Sequence, residues 1–211
     1  MEKKEVIAEV IRKQKLLAKM VITIDDFDSV IENVCAVDVS YKKKFAHASA
    51  VIVKKSDLKV IEVIKSESEI KYPYIPGLFV LREANPILES LKLLKNSFQL
   101  LLIDGHGLLH PRRCGLASYI GIITNKPTIG VAKSLLCGKV ESDGFIKYGG
   151  EVLGFAIKGE GISKKMIYVS TGHRVSLYTS IQLIKSLTKI GNLLPEPLSI
   201  ADIASKNLYK V

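Results

Sequence analysis

Two short runs constrain this chain more than anything else in it. Val34-Cys35-Ala36-Val37-Asp38-Val39 and Leu100-Leu101-Leu102-Ile103-Asp104 are almost wholly apolar, and each carries one aspartate. Runs this short and this apolar read as strands covered on both faces. A carboxylate in such a strand is costly unless it is paired, protonated or bound to a cation. Taken singly, each aspartate also has a plain structural reading: Asp38 satisfied by backbone N–H groups, Asp104 as a turn or helix cap. If the two strands are neighbours, two negative charges converge and need a counter-charge. A hard divalent cation with oxygen ligands, Mg2+ or Mn2+, meets that need.

The segments around these strands set the expected fold. Residues 4–21 read as an amphipathic helix, with Val6, Val10, Leu17 and Val21 near helical spacing, ended by Asp25-Asp26-Phe27-Asp28. Strands are expected at 34–39, 46–53 and 58–64, spaced closely enough for an antiparallel meander. Tyr72-Pro73-Tyr74-Ile75-Pro76-Gly77 is a stiff loop, because two prolines and a glycine exclude regular structure. A helix is expected from Glu83 to about Lys95, with Pro86 in its first turn. The strand at 99–103 leads into the loop Asp104-Gly105-His106-Gly107. A helix over 113–123 and a buried strand over 128–131 follow. The glycine-rich stretch 138–161 reads as a hairpin insertion. A strand at 166–170, a helix at 176–187 and a short terminal helix capped by Ser199 complete the order. A meander followed by strand–helix alternation predicts one α/β domain over residues 1–211, with a mixed central sheet and flanking helices.

Composition narrows the partners. Lys and Arg number 31 against 21 Asp and Glu, a net charge of +10. That surplus favours a polyanion, nucleic acid before membrane, since residues 4–21 are too acidic for a membrane-surface helix. No apolar run approaches the ~20 residues of a spanning helix. The first residues lack an apolar signal core, so a cytoplasmic enzyme is expected. Cys35, Cys114 and Cys137 are odd in number and form no CxxC pair, which argues against both zinc and a disulfide framework.

Three further residues are candidates by position. Glu83 stands in Leu81-Arg82-Glu83 just after the proline loop, where a helix-dipole role competes with a catalytic one. His173 falls between the last strand and the last long helix. Lys133 follows the strand ending at Val131, where a phosphate contact competes with an ordinary surface lysine. His106 and His110 share a loop with Arg112 and Arg113, a set suited to phosphate or base contact.

Together these motifs resemble one family, endonuclease V, the deoxyinosine-directed nucleases. The markers are Val37-Asp38-Val39-Ser40-Tyr41, Tyr72 to Gly77, Leu81-Arg82-Glu83, Asp104 through Arg112, Gly130-Val131-Ala132-Lys133-Ser134 and Gly172-His173-Arg174-Val175-Ser176-Leu177. The resemblance implies a ribonuclease H-like fold and a catalytic centre of Asp38, Glu83 and Asp104, completed by His173, with Lys133 on the phosphate. It implies Mg2+, with Mn2+ as a substitute. It implies a nick at the second phosphodiester 3′ to deoxyinosine, leaving a 3′-hydroxyl and a 5′-phosphate in DNA repair. Tyr74 between Pro73 and Pro76 would be the wedge. Ile75, Gly77, Arg82, Gly105 and His110 would surround the extruded base. The implied partner is DNA bearing deoxyinosine or another deaminated or mismatched base, met by a monomer. Inosine-containing RNA or a structured substrate is the rival, served by the same carboxylates.

Overall fold

The computed structural model describes residues 3–27, 30–159 and 165–207. Helix α1 spans Lys3–Ala18. The expected meander follows as β1 (Asn33–Lys42), β2 (Phe45–Lys54) and β3 (Val60–Glu69). Helix α2 spans Phe79–Lys92, β4 Leu100–Asp104, α3 Leu116–Thr124 and β5 Thr128–Ala132. Then come β6 (Lys139–Val140), β7 (Phe145–Tyr148), β8 (Glu151–Lys158) and β9 (Met166–His173). Helices α4 (Leu177–Ser186) and α5 (Glu196–Lys206) end the described chain. Asp28 and the end of the 138–161 stretch lie outside the described residues.

All nine strands form one mixed sheet in the order β3-β2-β1-β4-β5-β9-β8-β7-β6. The pairs β1·β4 and β4·β5 are parallel; β9 runs antiparallel to β5. Alternation along the strands sorts the core into two layers. Cys35, Val37, Leu101 and Ile103 pack on one face with Val80, Ala84 and Ile87 of α2 and Leu116, Ala117 and Ile120 of α3. Val34, Ala36, Leu100, Leu102, Ile129 and Val131 pack on the other with Leu183 and Ile184 of α4 and Leu198, Ala201 and Ala204 of α5.

Three expectations change. Helix α2 begins four residues before Glu83, so Glu83 is in its second turn and Pro86 inside the helix. Burial of Val80, Ala84 and Ile87, at i, i+4 and i+7, outweighs the proline's missing donor. The glycine-rich stretch does form hairpins, β6·β7 and β7·β8, but they are part of the main sheet, joined to it through β9. Helix α5 begins at Glu196 after Pro195, so Ser199 lies within it and caps nothing. No helix among the described residues is long and apolar enough to cross a membrane.

Candidate active site

The alternation that builds the core also gathers the chemistry. Asp38 continues the series Val34, Ala36 in β1 and therefore faces α5, where Ser205 Oγ donates to its Oδ2 at 2.6 Å. Asp104 continues Leu100 and Leu102 to the same face at the end of β4. Val37 pairs with Ile103 and Asp104 with Val131, so Asp104 ends β4 and Asp38 stands one residue past the last β1·β4 pair, on the adjacent parallel strand. Lys133, one residue past β5, continues Ile129 and Val131. Its Nζ lies 2.6 Å from Asp104 Oδ2 and 3.3 Å from Asp202 Oδ1. Asp38, Tyr41, Asp104, Lys133 and Asp202 line an open cleft of about 490 Å³. Glu83 arrives from α2 on the opposite layer, and the Tyr41 hydroxyl donates to its Oε1 at 2.7 Å. The Arg82 guanidinium stacks 3.8 Å above the Tyr41 ring.

Burial and mutual repulsion govern these acids. Burial is the larger cause pushing Asp38 up to about 6, helped by the charge of Asp104 and opposed by the Ser205 hydrogen bond. Burial likewise pushes Glu83 up to about 7, with Asp104 and Asp38 adding to it and the Tyr41 hydrogen bond opposing. At Asp202 burial acts upward but is outweighed by Lys206 and Lys133, so its carboxyl lies below the usual range. Lys133 is held above its ordinary value: burial works against its charge, and Asp104 more than restores it.

The structure does not bring His173 to this cleft. His173 pairs with Thr128, at the start of β5, whereas Asp104 pairs with Val131 near its end. Three residues of strand separate the two levels, about 10 Å. His173 Nδ1 instead accepts the Ile22 N–H at 3.3 Å, and the ring packs where a side chain on Gly121 would collide with it. The fourth acid of the cleft is Asp202 on α5, which the sequence reading passed over.

The remaining candidates form a second site. Tyr74, Gly77, His106 and His110 line a small chamber of about 50 Å³, with Phe79 and Leu116. Tyr74 is exposed and packs edge-on against Phe79, with ring centroids 4.9 Å apart. Pro73 and Pro76 flank it on the surface, and the Ile75 carbonyl accepts the Leu78 N–H, closing the loop onto α2. Gly77 has φ +75°, a left-handed backbone that favours glycine. Its carbonyl accepts from Gln14, His110 and Arg112. Burial pushes His110 down to about 4, so its ring is neutral at pH 7. Two expected members lie elsewhere. Gly105 N–H is committed to the Val131 carbonyl at 3.0 Å, and Arg82 belongs to the Tyr41–Glu83 side.

Set beside known proteins, this architecture has many counterparts. The family model for Endonuclease V matches residues 15–203. The chain belongs to the Endonuclease V family. It is 40% identical to an Endonuclease V of Thermofilum pendens, over 91% of this chain and 84% of that one. It is also 40% identical to that of Pyrococcus abyssi, over 96% and 91%. The structure of Ciona intestinalis Endonuclease V, in complex with a 24mer DNA containing an inosine followed by a ribo-adenosine, superposes with TM-score 0.85. That match has 30% identity and covers 97% of this chain and 98% of that one. The catalytic domain of human Endonuclease V also gives 0.85, at 29% identity over 98% and 97%. The chain is therefore an endonuclease, and its nine-stranded mixed sheet with flanking helices is the Endonuclease V fold.

The donor chemistry of the cleft suits a hard cation. Asp38, Asp104 and Asp202, with Glu83 beside them, offer only oxygen; the imidazole of the cleft, His47, is paired with Glu67 at 3.0 Å. Among the described residues no three His, Cys, Asp or Glu side chains form a ready-made cage. The reason is local: Lys133 stands between Asp104 and Asp202, and Tyr41 ties back Glu83. Burial first, and mutual repulsion second, hold the Asp38 and Glu83 carboxyls above the usual range, and a cation beside them would favour their ionised forms.

Proposed function

We propose that this chain is a metal-dependent DNA endonuclease that recognises deoxyinosine. In this reading it nicks the same strand at the second phosphodiester on the 3′ side and leaves a 3′-hydroxyl and a 5′-phosphate. One observation carries the chemistry: three carboxylates and one lysine, from β1, β4, α5 and the end of β5, line a single cleft, and a fourth carboxylate, Glu83 of α2, is held beside it by Tyr41 and feels the charges of Asp38 and Asp104. The Ciona relative, bound to inosine-containing DNA, supports the substrate.

Asp38, Asp104, Asp202 and Glu83 would hold Mg2+, or Mn2+ in its place. Bound there, the ion supplies charge withdrawal from the phosphoryl oxygens and a more acidic water. The protein's own groups do the rest. Lys133 releases Asp104 and offers its ammonium to a phosphate oxygen, where negative charge grows in the transition state. Tyr41 holds Glu83 in one orientation, and Arg82 braces Tyr41 from above. Ser205 fixes Asp38. The raised pKa of Asp38 and Glu83 makes both avid for a cation above neutral pH.

Recognition is separate from cleavage. Tyr74 is placed to enter the base stack, and its flanking prolines limit the entropy lost on insertion. The extruded base then occupies the chamber beneath it. The enzyme works as a single nuclease domain and a monomer in DNA repair in the cytoplasm.

A second reading has a specific observation behind it. In the Ciona complexes a ribo-adenosine follows the inosine, which keeps inosine-containing RNA in view as substrate. One assay tests both. Strands of DNA or RNA, with inosine or without, are incubated with Mg2+ or with EDTA. The expected result is Mg2+-dependent nicking of inosine DNA at a single position. Nicking that ignores inosine, or that persists in EDTA, sinks the proposal; nicking of the RNA alone shifts it to the second reading.

A further inference from the structure

A residue lining the chamber beside Tyr74 carries an unpaired hydrogen-bonding atom. His106 is only 9% exposed, and its Nδ1 is buried without a partner. Its Nε2 lies 2.8 Å from the Ser134 carbonyl oxygen. A carbonyl only accepts, so Nε2 carries the ring proton. A protonated ring would bury a second, charged N–H without a partner, which is costly, so the ring is neutral. Nδ1 is then a bare acceptor. Among the described residues, the buried side-chain polar atoms without a partner are in Ser68, Arg82, His106, Arg113 and Ser118. His106 alone of these lines the chamber.

The neighbouring backbone groups are already committed. The Gly77 oxygen receives Gln14 Nε2 at 3.3 Å, His110 Nε2 at 3.0 Å and Arg112 Nη2 at 2.5 Å. A carbonyl has two lone pairs, so this one has nothing left to give a ligand. The Gly105 N–H is used by Val131. Of the buried side-chain polar atoms without a partner among the described residues, His106 Nδ1 is the one that belongs to a residue lining the chamber.

Resting on the substrate reading above, we propose that His106 is a specificity-determining residue: its Nδ1 accepts the N1–H of the extruded hypoxanthine. Deamination turns the N1 position of adenine from an acceptor into a donor. Hypoxanthine satisfies Nδ1; adenine sets one lone pair against another and leaves both buried and unpaired. Guanine shares the N1–H, so this contact separates hypoxanthine from adenine and not from guanine. At about 50 Å³ the chamber has room for a water or two, not a purine. Entry of the base requires the Tyr74–Phe79 pair to part, which couples wedge insertion to exposure of the His106 edge.

Two variants test this in the full chain with Mg2+. His106→Gln carries its amide level with Nε2, so it keeps the Ser134 contact and loses the Nδ1 acceptor. His106→Asn carries its amide level with Nδ1 and loses the Ser134 contact. Each is assayed under single-turnover conditions on duplexes bearing deoxyinosine or unsubstituted purine deoxyriboside, which has no N1–H. The purine also lacks O6, but that loss is common to all three enzymes and cancels in the comparison. The wild-type preference for inosine is expected to fall about tenfold or more in His106→Gln and to persist in His106→Asn. An unchanged preference in His106→Gln, or equal slowing of both substrates in both variants, overturns the assignment and leaves His106 a structural tie to Ser134. Wild-type enzyme that ignores inosine altogether overturns the substrate reading and this assignment with it.

Discussion

Lys133 Nζ lies 2.6 Å from Asp104 Oδ2, in the place where a divalent ion would draw the same carboxylate. In the proposed reading the lysine would compete with a metal for Asp104 and serve phosphate once displaced. Lys133→Ala should slow nicking by about 10²-fold, the scale of a lost electrostatic contact in a transition state. The same variant should bind Mn2+ at least as tightly as wild type by calorimetry. Weakened Mn2+ binding in Lys133→Ala would show that the lysine supports the metal site and does not compete with it.

Asp202 and His173 divide the centre between them in a way a pair of variants exposes. Asp202→Asn should cut nicking by about 10²-fold or more, as Asp38→Asn should. His173→Ala should nick within a few-fold of wild type but melt earlier. Its Nδ1 holds the Ile22 N–H, and leaving that donor unpaired costs about 1–3 kcal/mol. Loss of nicking in a well-folded His173→Ala protein would return the histidine to the active centre.

Asp38 should trade stability for function, with a definite pH signature. Its folded pKa is raised to about 6 from the ordinary 3.8 of an aspartate. Below the lower value both states are protonated and there is no penalty. Between the two values the folded state holds a proton that the unfolded chain has lost, so stability falls as pH rises. Above about 6 the full penalty applies. Without divalent cation, Asp38→Asn should thus be more stable than wild type at pH 8, by on the order of 3 kcal/mol. For a chain this size that is a Tm gain of about 9 °C. The gain should vanish near pH 4. Thermal melts in EDTA across this range check it; a gain that is independent of pH points to packing, not charge.

Tyr74→Ala should reduce the preference for inosine-containing over unmodified DNA by about tenfold or more, in line with the loss of one stacking contact. Mn2+ affinity should be unchanged, because the ring lies in the chamber wall and not in the cleft. Undiminished discrimination by the variant would remove the wedge role.

The strands and two of the acids were legible in the sequence because burial imposes a period. Asp38 and Asp104 stand out as charges inside apolar runs, and Lys133 follows from the same rule applied to β5. Asp202 gave no such signal. In Ile200-Ala201-Asp202-Ile203-Ala204 it reads as a polar position of an amphipathic helix, and only the docking of α5 beside β1 turns it inward. Starting the terminal helix at Ser199 shortens it by three residues but leaves Asp202 on it. His173 was misplaced for a geometric reason. Ligands gather at the carboxyl ends of parallel strands, but β9 runs against β5, so its carboxyl end is at the far side of the sheet. Strand direction was the missing information, and residue spacing does not carry it. The glycine-rich stretch misled for the converse reason. Its short strands looked peripheral, yet they pair onto β9.

The Gly77 oxygen joins three distant parts of the chain. Gln14 reaches it from α1, and His110 and Arg112 from the loop after β4. Gln14 Oε1 in turn receives Arg112 Nε at 2.8 Å, which closes the junction on itself. The wall of the base chamber is thus fastened by a helix that contributes nothing to the catalytic cleft. Trimming that helix would leave every cutting residue in place and loosen the part that chooses. If that chamber reads the base as proposed, the chain's first helix would be the latch on its discrimination, and a shortened enzyme would err toward indiscriminate cutting before it lost the power to cut.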